Sequence, residues 1–309
     1  MEQELSAPPV WQALSQELSG AVERVGRAVV ALNARRRIPS SGVVWRQGTI
    51  VTANHTLEHE EITTTLPDGR TTSVSLAGRD PSTDLAVLKL EGTDFATAEA
   101  GDLSSVKVGH IVLAVARTSE GGARASLATI GVLGAAWRTW GGGLLDRTVR
   151  LDRNLHPNFS GGPVVDKQGR VLGIGTSGLS RYSTVVIPAA TVSRVIDELL
   201  ARGHIAHGYL GLGMYPLRLP AKLQGSLNLP GQSGIMVVAV EAESPAERAG
   251  VLIGDVLVAL DGSSVGDTDE VQSFLGGERV GESVSATIVR AGSLKELTIV
   301  VGERPAVQP

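Results

Sequence analysis

Short apolar runs separated by turn signals recur along the first half of the chain and limit its fold more than any other feature. Between residues 41 and 132 the runs GVVW, TIVTA, LAVLKL and HIVLAVA alternate with the turn segments PDG, EGT and SEGG. Runs of this length and spacing are typical of the strands of a sandwich or barrel. The 38 glycines and the 3% aromatic content also favour many short strands over a helical bundle. The sequence therefore predicts a mainly β fold.

A long amphipathic segment divides the chain. In residues 189–208, AATVSRVIDELLARGHIAHG, apolar residues recur at helical spacing, Thr191 can cap the start of a helix and Gly203 can end it. The residues that follow predict strands around a short helix, which is typical of a smaller mixed module. We therefore expect four parts: an N-terminal segment 1–11, a domain 12–203, a second domain 204–303 and a tail 304–309.

The N-terminal part predicts one further helix, followed by a strand at residues 28–32. Four apolar residues recur at helical spacing on one face: Trp11, Leu14, Leu18 and Val22. This face either packs on its own domain or contacts another subunit.

Charge and cysteine content exclude several classes of function. The net charge of -4, with both signs mixed along the chain, leaves no basic stripe for nucleic acid. The absence of cysteine excludes disulfides, thiolate catalysis and cysteine metal sites. His204 and His207 lie three positions apart, but no third ligand of the usual kind follows nearby. We therefore expect neither a metal nor another cofactor.

Membrane and export signals are also missing from the sequence. No stretch reaches the roughly 18 to 20 apolar residues of a membrane span. The first residues contain Glu2, Glu4 and two prolines, and they lack the unbroken apolar run of a secretory signal. By sequence we expect a soluble chain without a membrane span, located in the cytoplasm.

Ser160, in the stretch NFSGGPVV, is the strongest candidate for chemistry. A serine hydroxyl is a weak nucleophile near pH 7, so it needs a base and a carboxylate that orients the base. Among the six histidines, His55 ends the strand-like run TIVTANH, and Asp84 directly precedes the buried run LAVLKL. Each alone is a common turn or cap residue. Together they occur in the order His, Asp, Ser, 29 and 76 positions apart, which is the order used on the chymotrypsin-type double barrel.

Three segments around these residues resemble the catalytic segments of the HtrA/DegP-type trypsin-like serine proteases: TANHTL, DPSTDLAVLKL and NFSGGPVVDKQGRVLGI. The second module resembles the PDZ domain of that family in GYLGL, at residues 208–212, and in SPAERAGVLIGDVLVALDG. The resemblance extends over about residues 12 to 303. It implies a chymotrypsin-like double β-barrel protease domain followed by a PDZ domain, which is a small α/β, partly open barrel.

The resemblance also implies the chemistry. Ser160 is then the nucleophile, His55 the general base and acid, and Asp84 the group that orients the histidine. The implied activity is that of a serine endopeptidase that degrades unfolded or damaged proteins, with the PDZ module binding C-terminal peptides. The family further implies a homotrimer, for which the face carrying Trp11 and Leu14 is a candidate, and most members lie in the periplasm or elsewhere outside the cytoplasm.

The residues before the serine depart from the family pattern. The family normally has Gly-Asn at the two positions that are Asn158 and Phe159 here. The backbone of Asn158, Phe159 and Ser160 is expected to form the oxyanion hole, where glycine suits dihedral angles that side chains resist and asparagine is the best substitute. Either the chain is an endopeptidase, with activity that this change can reduce, or it is a pseudoprotease that acts as a peptide-binding or chaperone-like protein.

Two nearby residues also differ from the family. Asn154 falls where trypsin-like proteases line the primary specificity pocket, and a neutral residue there argues against selection of arginine or lysine. Small or medium apolar side chains are therefore expected in that pocket. His156 is either a solvent-exposed loop residue or a second titrating group near the site.

In the PDZ module, the backbone amides of GYLGL are expected to hold a terminal carboxylate, since no basic residue stands in that loop. Val271 with Phe274 or Leu275 is expected to line the pocket for the last side chain of the peptide. The expected peptide-binding residues are Tyr209, Leu210, Gly211, Leu212, Val271 and Leu275.

Overall fold

The structure is a computed structural model that describes residues 9–35, 38–59, 61–92, 94–120, 122–229 and 231–304. The chain divides into two compact units, Met1–Ile205 and Ala206–Pro309, called unit 1 and unit 2 below. Residues 1–8 of the expected N-terminal segment and 305–309 of the expected tail lie outside the described residues. None of the helices in the described ranges is both long and apolar enough to cross a membrane.

The first half of unit 1 is a closed barrel of six antiparallel strands in the order β1-β2-β3-β6-β5-β4. The strands are β1 (Val29–Asn33), β2 (Ser40–Arg46), β3 (Thr49–Ala53), β4 (Ile62–Thr65), β5 (Thr71–Asp80) and β6 (Leu85–Lys89). The apolar runs predicted as strands form β2, β3 and β6, which are buried over nearly their whole length. A short continuous apolar run is what a fully buried strand requires.

The second half of unit 1 is another closed barrel, in the order β11-β14-β13-β12-β7-β8. Its strands are β7 (Ile111–Arg117), β8 (Ala123–Leu133), β11 (Val149–Leu151), β12 (Pro163–Val165), β13 (Val171–Thr176) and β14 (Val185–Pro188), and a separate pair consists of β9 (Trp137–Arg138) and β10 (Leu144–Leu145). One apolar cluster contains side chains of both barrels, among them Val51, Leu85 and Ile174. The predicted double β-barrel is therefore confirmed.

Two helices pack on the barrels of unit 1: α1 (Val10–Gly26) and α2 (Ala189–Arg202). The predicted apolar stripe of α2 is buried in the core, and Gly203 ends the helix with φ of 78°. The prediction that Thr191 caps α2 is wrong. Pro188 holds the N-cap position, and Thr191 lies inside the helix, where its hydroxyl donates to Asp146 Oδ2 at 2.7 Å. The hydroxyl at position 191 thus serves as a hydrogen-bond donor to Asp146 and not as a helix cap.

Unit 2 contains a mixed fold of strands and short helices. The strands are β15 (Gly208–Tyr209), β16 (Leu212–Arg218), β17 (Ser233–Val240), β18 (Val256–Leu260), β19 (Ser263–Ser264), β20 (Ser283–Arg290), β21 (Ser293–Val300) and β22 (Gly302–Glu303), and the helices are α3 (Ala221–Leu227), α4 (Pro245–Arg248) and α5 (Thr268–Phe274). The main sheet has the order β16-β17-β18-β20-β21, with β19 on β18, while β15 pairs with β22. β16 is thus an edge strand.

An ion pair between a buried carboxylate and a partly exposed arginine joins two strands of that sheet. Asp255, which precedes β18 and is 2% exposed, accepts two hydrogen bonds of 2.7 and 2.6 Å from Arg290 at the end of β20. The Leu252 amide donates a third at 2.8 Å. Burial alone raises the pKa of Asp255, but these donors outweigh it and hold that pKa below its usual value. The pair therefore favours the ionised carboxylate in the folded state.

We predict that Asp255→Asn lowers the free energy of unfolding of unit 2 by about 3 kcal/mol at pH 7, because it leaves a cation without its partner. A carboxyl group whose folded-state pKa is depressed stabilises the fold above its unfolded pKa of about 3.9. This stabilisation disappears as the pH falls through the folded-state pKa. Urea denaturation from pH 7 to pH 2 should therefore show the gap between wild type and variant closing in acid.

The control is Asp269→Asn, which changes an exposed carboxylate in the first turn of α5 and should cost less than about 1 kcal/mol. A gap between wild type and Asp255→Asn that stays constant with pH would contradict the assignment of the stabilisation to the ionised carboxylate.

Candidate active site

His55 and Asp84 meet because β3 and β6 are neighbours in the first barrel. The two strands pair antiparallel with Ala53 opposite Leu85. The chain leaving β3 therefore passes the chain entering β6. His55 lies in the 3₁₀ turn Asn54–Thr56 directly after β3, and Asp84 directly precedes β6. The strand register thus brings together two residues that are 29 positions apart.

The Asp84 carboxylate holds both the ring and the backbone of His55. Its Oδ2 lies 2.8 Å from His55 Nδ1, and its Oδ1 accepts the His55 amide at 2.8 Å. The Thr176 hydroxyl, at the end of β13, also donates to Oδ2. Asp84 is 4% exposed and has a φ of 59°, an uncommon backbone conformation for a residue with a side chain. Both carboxylate oxygens of Asp84 therefore have hydrogen-bond partners.

The contact between His55 and Asp84 also determines the tautomer of the histidine. An ionised carboxylate only accepts hydrogen bonds, so His55 Nδ1 must carry the ring hydrogen. His55 Nε2 in the neutral ring is then an acceptor, as a general base requires. The side chain is 31% exposed, so this nitrogen is accessible to a reactant.

Ser160 follows the 3₁₀ turn Pro157–Phe159. It precedes two glycines at positions where no residue with a side chain fits. Gly161 has a φ of 83°, and a Cβ atom there would lie 2.2 Å from the Ser41 carbonyl oxygen. A Cβ atom on Gly162 would lie 2.3 Å from the Val115 carbonyl oxygen. Because such approaches exclude any side chain, the Gly-Gly pair lets the serine turn press against the backbones of β2 and β7.

Ser160 is joined to His55 through another serine. Ser160 Oγ lies 3.1 Å from Ser177 Oγ and accepts the Ser177 amide at 3.4 Å. Ser177 Oγ lies 3.5 Å from His55 Nε2. The sequence analysis did not identify Ser177, because a serine that follows a strand carries no signal of its own. In this conformation, its hydroxyl is the group between the nucleophile candidate and the base candidate.

The backbone expected to form the oxyanion hole is engaged within its own turn. The Ser160 amide donates to the Pro157 carbonyl at 3.2 Å, the Phe159 amide to the His156 carbonyl at 2.9 Å, and the Asn158 amide to His156 Nδ1 at 3.4 Å. Asn158 is not among the residues with positive φ and belongs to the 3₁₀ turn. A 3₁₀ turn requires no positive φ, so asparagine is tolerated here.

Asn154 and His156 differ in their surroundings. Asn154 is exposed, and its side-chain amide donates to the Arg181 carbonyl at 2.9 Å. His156 is also exposed, and its Nδ1 lies 2.9 Å from the side-chain amide group of buried Asn158. His156 therefore contacts the serine turn directly, whereas the pocket role of Asn154 stays a prediction.

Unit 2 has a groove of about 440 Å³ beside the edge strand β16 and helix α5. Five of the expected peptide-binding residues line it: Tyr209, Leu210, Leu212, Val271 and Leu275. Gly211 does not line the groove. It turns the chain with a φ of 78°, and a Cβ atom there would lie 2.2 Å from Ser244 Cβ. Phe274 stacks instead with Arg279, whose guanidinium lies 4.0 Å from the ring centre.

Two charged residues that the sequence analysis missed also line this groove: Arg304 and Glu241. Arg304 follows β22, which pairs with β15, and its amide donates to the His207 carbonyl at 2.9 Å. The GYLGL loop itself has no basic residue, yet strand pairing brings a cation to it from the end of the described chain. Glu241 accepts the Tyr209 hydroxyl, and this hydrogen bond raises the pKa of Tyr209.

Comparison with known proteins gives two matching family models, a trypsin-like peptidase domain over residues 40–174 and a PDZ domain over residues 208–301. A probable periplasmic serine endoprotease DegP-like of Brucella suis biovar 1 is 31% identical over 274 residues, which are 86% of this chain and 52% of that protein. The protein of the same name from Halomonas elongata is 30% identical over 280 residues, covering 89% of this chain and 58% of its own length. The chain thus spans about half the length of the curated relatives it matches.

Among solved structures, an HtrA-type protease AlgW with tripeptide superposes with a TM-score of 0.75 at 30% identity, covering 94% of this chain and 98% of that one. The same protease with decapeptide gives a TM-score of 0.76 at 27% identity, covering 94% of this chain and 99% of its own. Both the fold and the order of the two domains therefore agree with the sequence-based expectation.

We predict that Gly178→Ala strongly reduces the reactivity of Ser160 toward a fluorophosphonate probe. A Cβ atom on Gly178 would lie 2.5 Å from Asp84 Oδ2 and 2.7 Å from His55 Nδ1, so the variant must separate that pair. Loss of the orienting carboxylate costs such sites up to about 10⁴-fold, and we expect a decrease of at least about 100-fold in the labelling rate.

Gly122→Ala is the matched control, since its Cβ atom would meet only the Thr118 hydroxyl at 3.6 Å, an ordinary contact. Circular dichroism should show that both variants are folded. Wild-type labelling rates in Gly178→Ala would show that the His55–Asp84 contact is not needed for reactivity.

Proposed function

The chain belongs to the HtrA-type family of trypsin-like serine proteases, and on that premise we propose that it is a serine endopeptidase that cleaves unfolded or damaged proteins. The observation that carries this proposal is the His55–Asp84 pair, which leaves His55 Nε2 as an acceptor linked to Ser160 through one hydroxyl. The alternative of an inactive peptide-binding protein finds no support in this geometry or in the names of the relatives.

In the proposed reaction, Ser160 is the nucleophile and His55 is the general base and acid. Ser160 Oγ attacks the carbonyl carbon of the peptide bond as its proton passes toward His55 Nε2. Asp84 stabilises the imidazolium that forms, since its carboxylate lies 2.8 Å from Nδ1. His55 then donates the proton to the leaving amine, and water hydrolyses the acyl-enzyme by the same steps.

The oxyanion would be bound by the amides of Asn158 and Ser160, which must first leave their present acceptors. Those acceptors are His156 Nδ1 at 3.4 Å and the Pro157 carbonyl at 3.2 Å. Both distances are at or beyond the long end of the normal range for such hydrogen bonds. An oxyanion is a stronger acceptor than either group, so the exchange is favourable once the tetrahedral intermediate forms.

The primary specificity pocket should accept small or medium apolar side chains. Asn154 is uncharged, and a buried substrate cation without a carboxylate partner is costly. A substrate with arginine or lysine at the cleaved bond is therefore disfavoured.

The groove of unit 2 should bind C-terminal peptides as an added strand along β16. The Gly211 carbonyl accepts the Glu241 amide at 2.9 Å, and the Leu210 carbonyl accepts the Ala246 amide at 2.9 Å. In a trans peptide unit the N–H points opposite to the C=O. The amides of Gly211 and Leu212 are therefore turned away from these internal partners and are available for a carboxylate, with Arg304 as an added cation.

A homotrimer is the assembly we propose, through the exposed face of α1. Trp11 is 81% exposed, and it lines an apolar groove together with Leu14, Leu113 and Leu127. Burial of this surface in a subunit contact would be favourable. For the compartment, the names of the relatives point to the periplasm rather than to the cytoplasm.

We predict that the wild-type chain cleaves casein without added metal or nucleotide and that Ser160→Ala does not. The readout is the appearance of fragments on a denaturing gel, with fluorophosphonate labelling that is lost in Ser160→Ala. Intact casein after prolonged incubation with folded wild-type protein, together with no labelling, would refute the proposed activity.

We also predict that peptides with a free apolar C-terminal residue bind the full chain at micromolar concentrations or weaker and that their amidated forms do not bind. Arg304→Gln should weaken binding of the free acids roughly three- to tenfold, as expected for the loss of a partly exposed charge partner. The titrations use Ser160→Ala protein so that peptides are not cleaved.

The matched control is Arg218→Gln, which changes an arginine at the far end of β16 and should leave peptide affinity unchanged. Equal affinity for the acid and amide forms would exclude carboxylate recognition by this groove.

A further inference from the structure

The hydroxyl of Ser177 occupies a place that neither the sequence nor the family resemblance assigns to it. It lies between the two reacting groups, 3.1 Å from Ser160 Oγ and 3.5 Å from His55 Nε2, the second distance being at the long limit of a hydrogen bond. Within the described residues, the hydrogen bonds of Ser160 Oγ are made with Ser177 alone. Any proton that leaves Ser160 in this geometry meets Ser177 first.

The direction of the hydrogen bonds from Ser160 through Ser177 to His55 follows from the Asp84 carboxylate. The Asp84 carboxylate accepts the hydrogen on His55 Nδ1, so His55 Nε2 has a lone pair and can accept a hydrogen from its neighbour. Ser177 is that neighbour and therefore donates its only hydroxyl hydrogen to Nε2. Its oxygen is then free to accept the hydroxyl hydrogen of Ser160. All three groups are aligned for transfer from Ser160 toward His55.

The residues on either side of Ser177 keep its backbone in place. The Thr176 hydroxyl donates to Asp84 and also accepts the Gly178 amide at 2.9 Å. Gly178 packs so closely on the His55–Asp84 pair that a side chain cannot fit. Because both neighbours are tied to the pair, Ser177 reaches the two reacting atoms from a fixed main chain.

We propose that Ser177 is a catalytic residue that carries the proton of Ser160 to His55, an inference that rests on the proposed protease function. As Ser160 Oγ attacks, its hydrogen moves to Ser177 Oγ, and the hydrogen of Ser177 moves to His55 Nε2. The electron pair of the broken Ser160 O–H bond forms the new bond to carbon, and the carbonyl π pair moves to oxygen. His55 ends as the imidazolium facing Asp84, and Ser177 ends as a neutral hydroxyl.

The same path runs backward when the leaving amine departs. The imidazolium returns its proton to Ser177 as Ser177 gives its own to the amine nitrogen, so no proton is gained or lost at Ser177. The relay differs from direct transfer in one measurable way, because two protons move in the step instead of one.

The test compares wild type with Ser177→Ala and Ser177→Thr in fluorophosphonate labelling and casein cleavage. General-base assistance contributes about 10²- to 10⁴-fold, and we expect Ser177→Ala to lower the labelling rate by roughly 10- to 100-fold. Ser177→Thr, which keeps the hydroxyl, should recover most of that loss. Rates in mixtures of H₂O and D₂O should depend on deuterium fraction along a curve in wild type and along a straight line in Ser177→Ala.

Ser180→Ala is the matched control, since this hydroxyl accepts the Tyr182 amide at 3.2 Å and has no hydrogen bond to Ser160, Ser177 or His55 among the described residues. Circular dichroism and thermal melting establish that each variant is folded. If wild type is labelled and Ser177→Ala reacts as fast or faster, the relay is refuted and the protease proposal stands. If folded wild type neither reacts with the probe nor cleaves casein, both fail.

Discussion

The close approach of the Ser160 turn to the backbones of both barrels is the constraint on which the site depends. Gly161 and Gly162 lie against the carbonyl oxygens of Ser41 in β2 and Val115 in β7. The Ser41 hydroxyl also donates to the Asn158 carbonyl at 2.8 Å and accepts the Arg117 amide at 3.1 Å. Backbone groups of the two barrels and of the serine turn thus meet at one buried point, and the position of Ser160 follows from packing that leaves no room for a Cβ atom.

The electrostatics of the site depend on a second close contact, in which the end of β13 in the second barrel meets the His55–Asp84 pair of the first barrel. β3 and β6 bring His55 to Asp84, and Thr176 at the end of β13 adds a donor to the same carboxylate. A nearly buried carboxylate is stable as an anion only when its oxygens are hydrogen-bonded. Each barrel therefore supplies part of the hydrogen bonding to Asp84, and the contact of this carboxylate with Nδ1 in turn determines which nitrogen of His55 can act as a base.

Asn158, which departs from the family pattern, and Ser177, which the structure places beside the site, have different consequences. Asn158 replaces a glycine without strain, because the 3₁₀ turn needs no positive φ, but its amide is held by His156. Ser177 places a hydroxyl where it separates Ser160 from His55. The first affects how the oxyanion is bound and the second how the proton moves, so the two effects belong to separate parts of the same reaction.

The sequence by itself determined the classes of residue and the order of elements. Buried strands such as TIVTA and LAVLKL are recognisable because full burial favours short runs made mostly of apolar and β-branched residues, and Gly203 ends α2 because glycine alone adopts its backbone conformation without cost. The candidates His55, Asp84 and Ser160 were identified by residue type, order and flanking motifs. Only the tertiary structure brought Ser177 between two of them, engaged the Asn158 amide with His156 and carried Arg304 to the peptide groove. The Ser177 and Arg304 contacts join distant parts of the chain through the arrangement of the strands, whereas the Asn158–His156 contact arises from local turn geometry. None of the three has a recognisable sequence pattern.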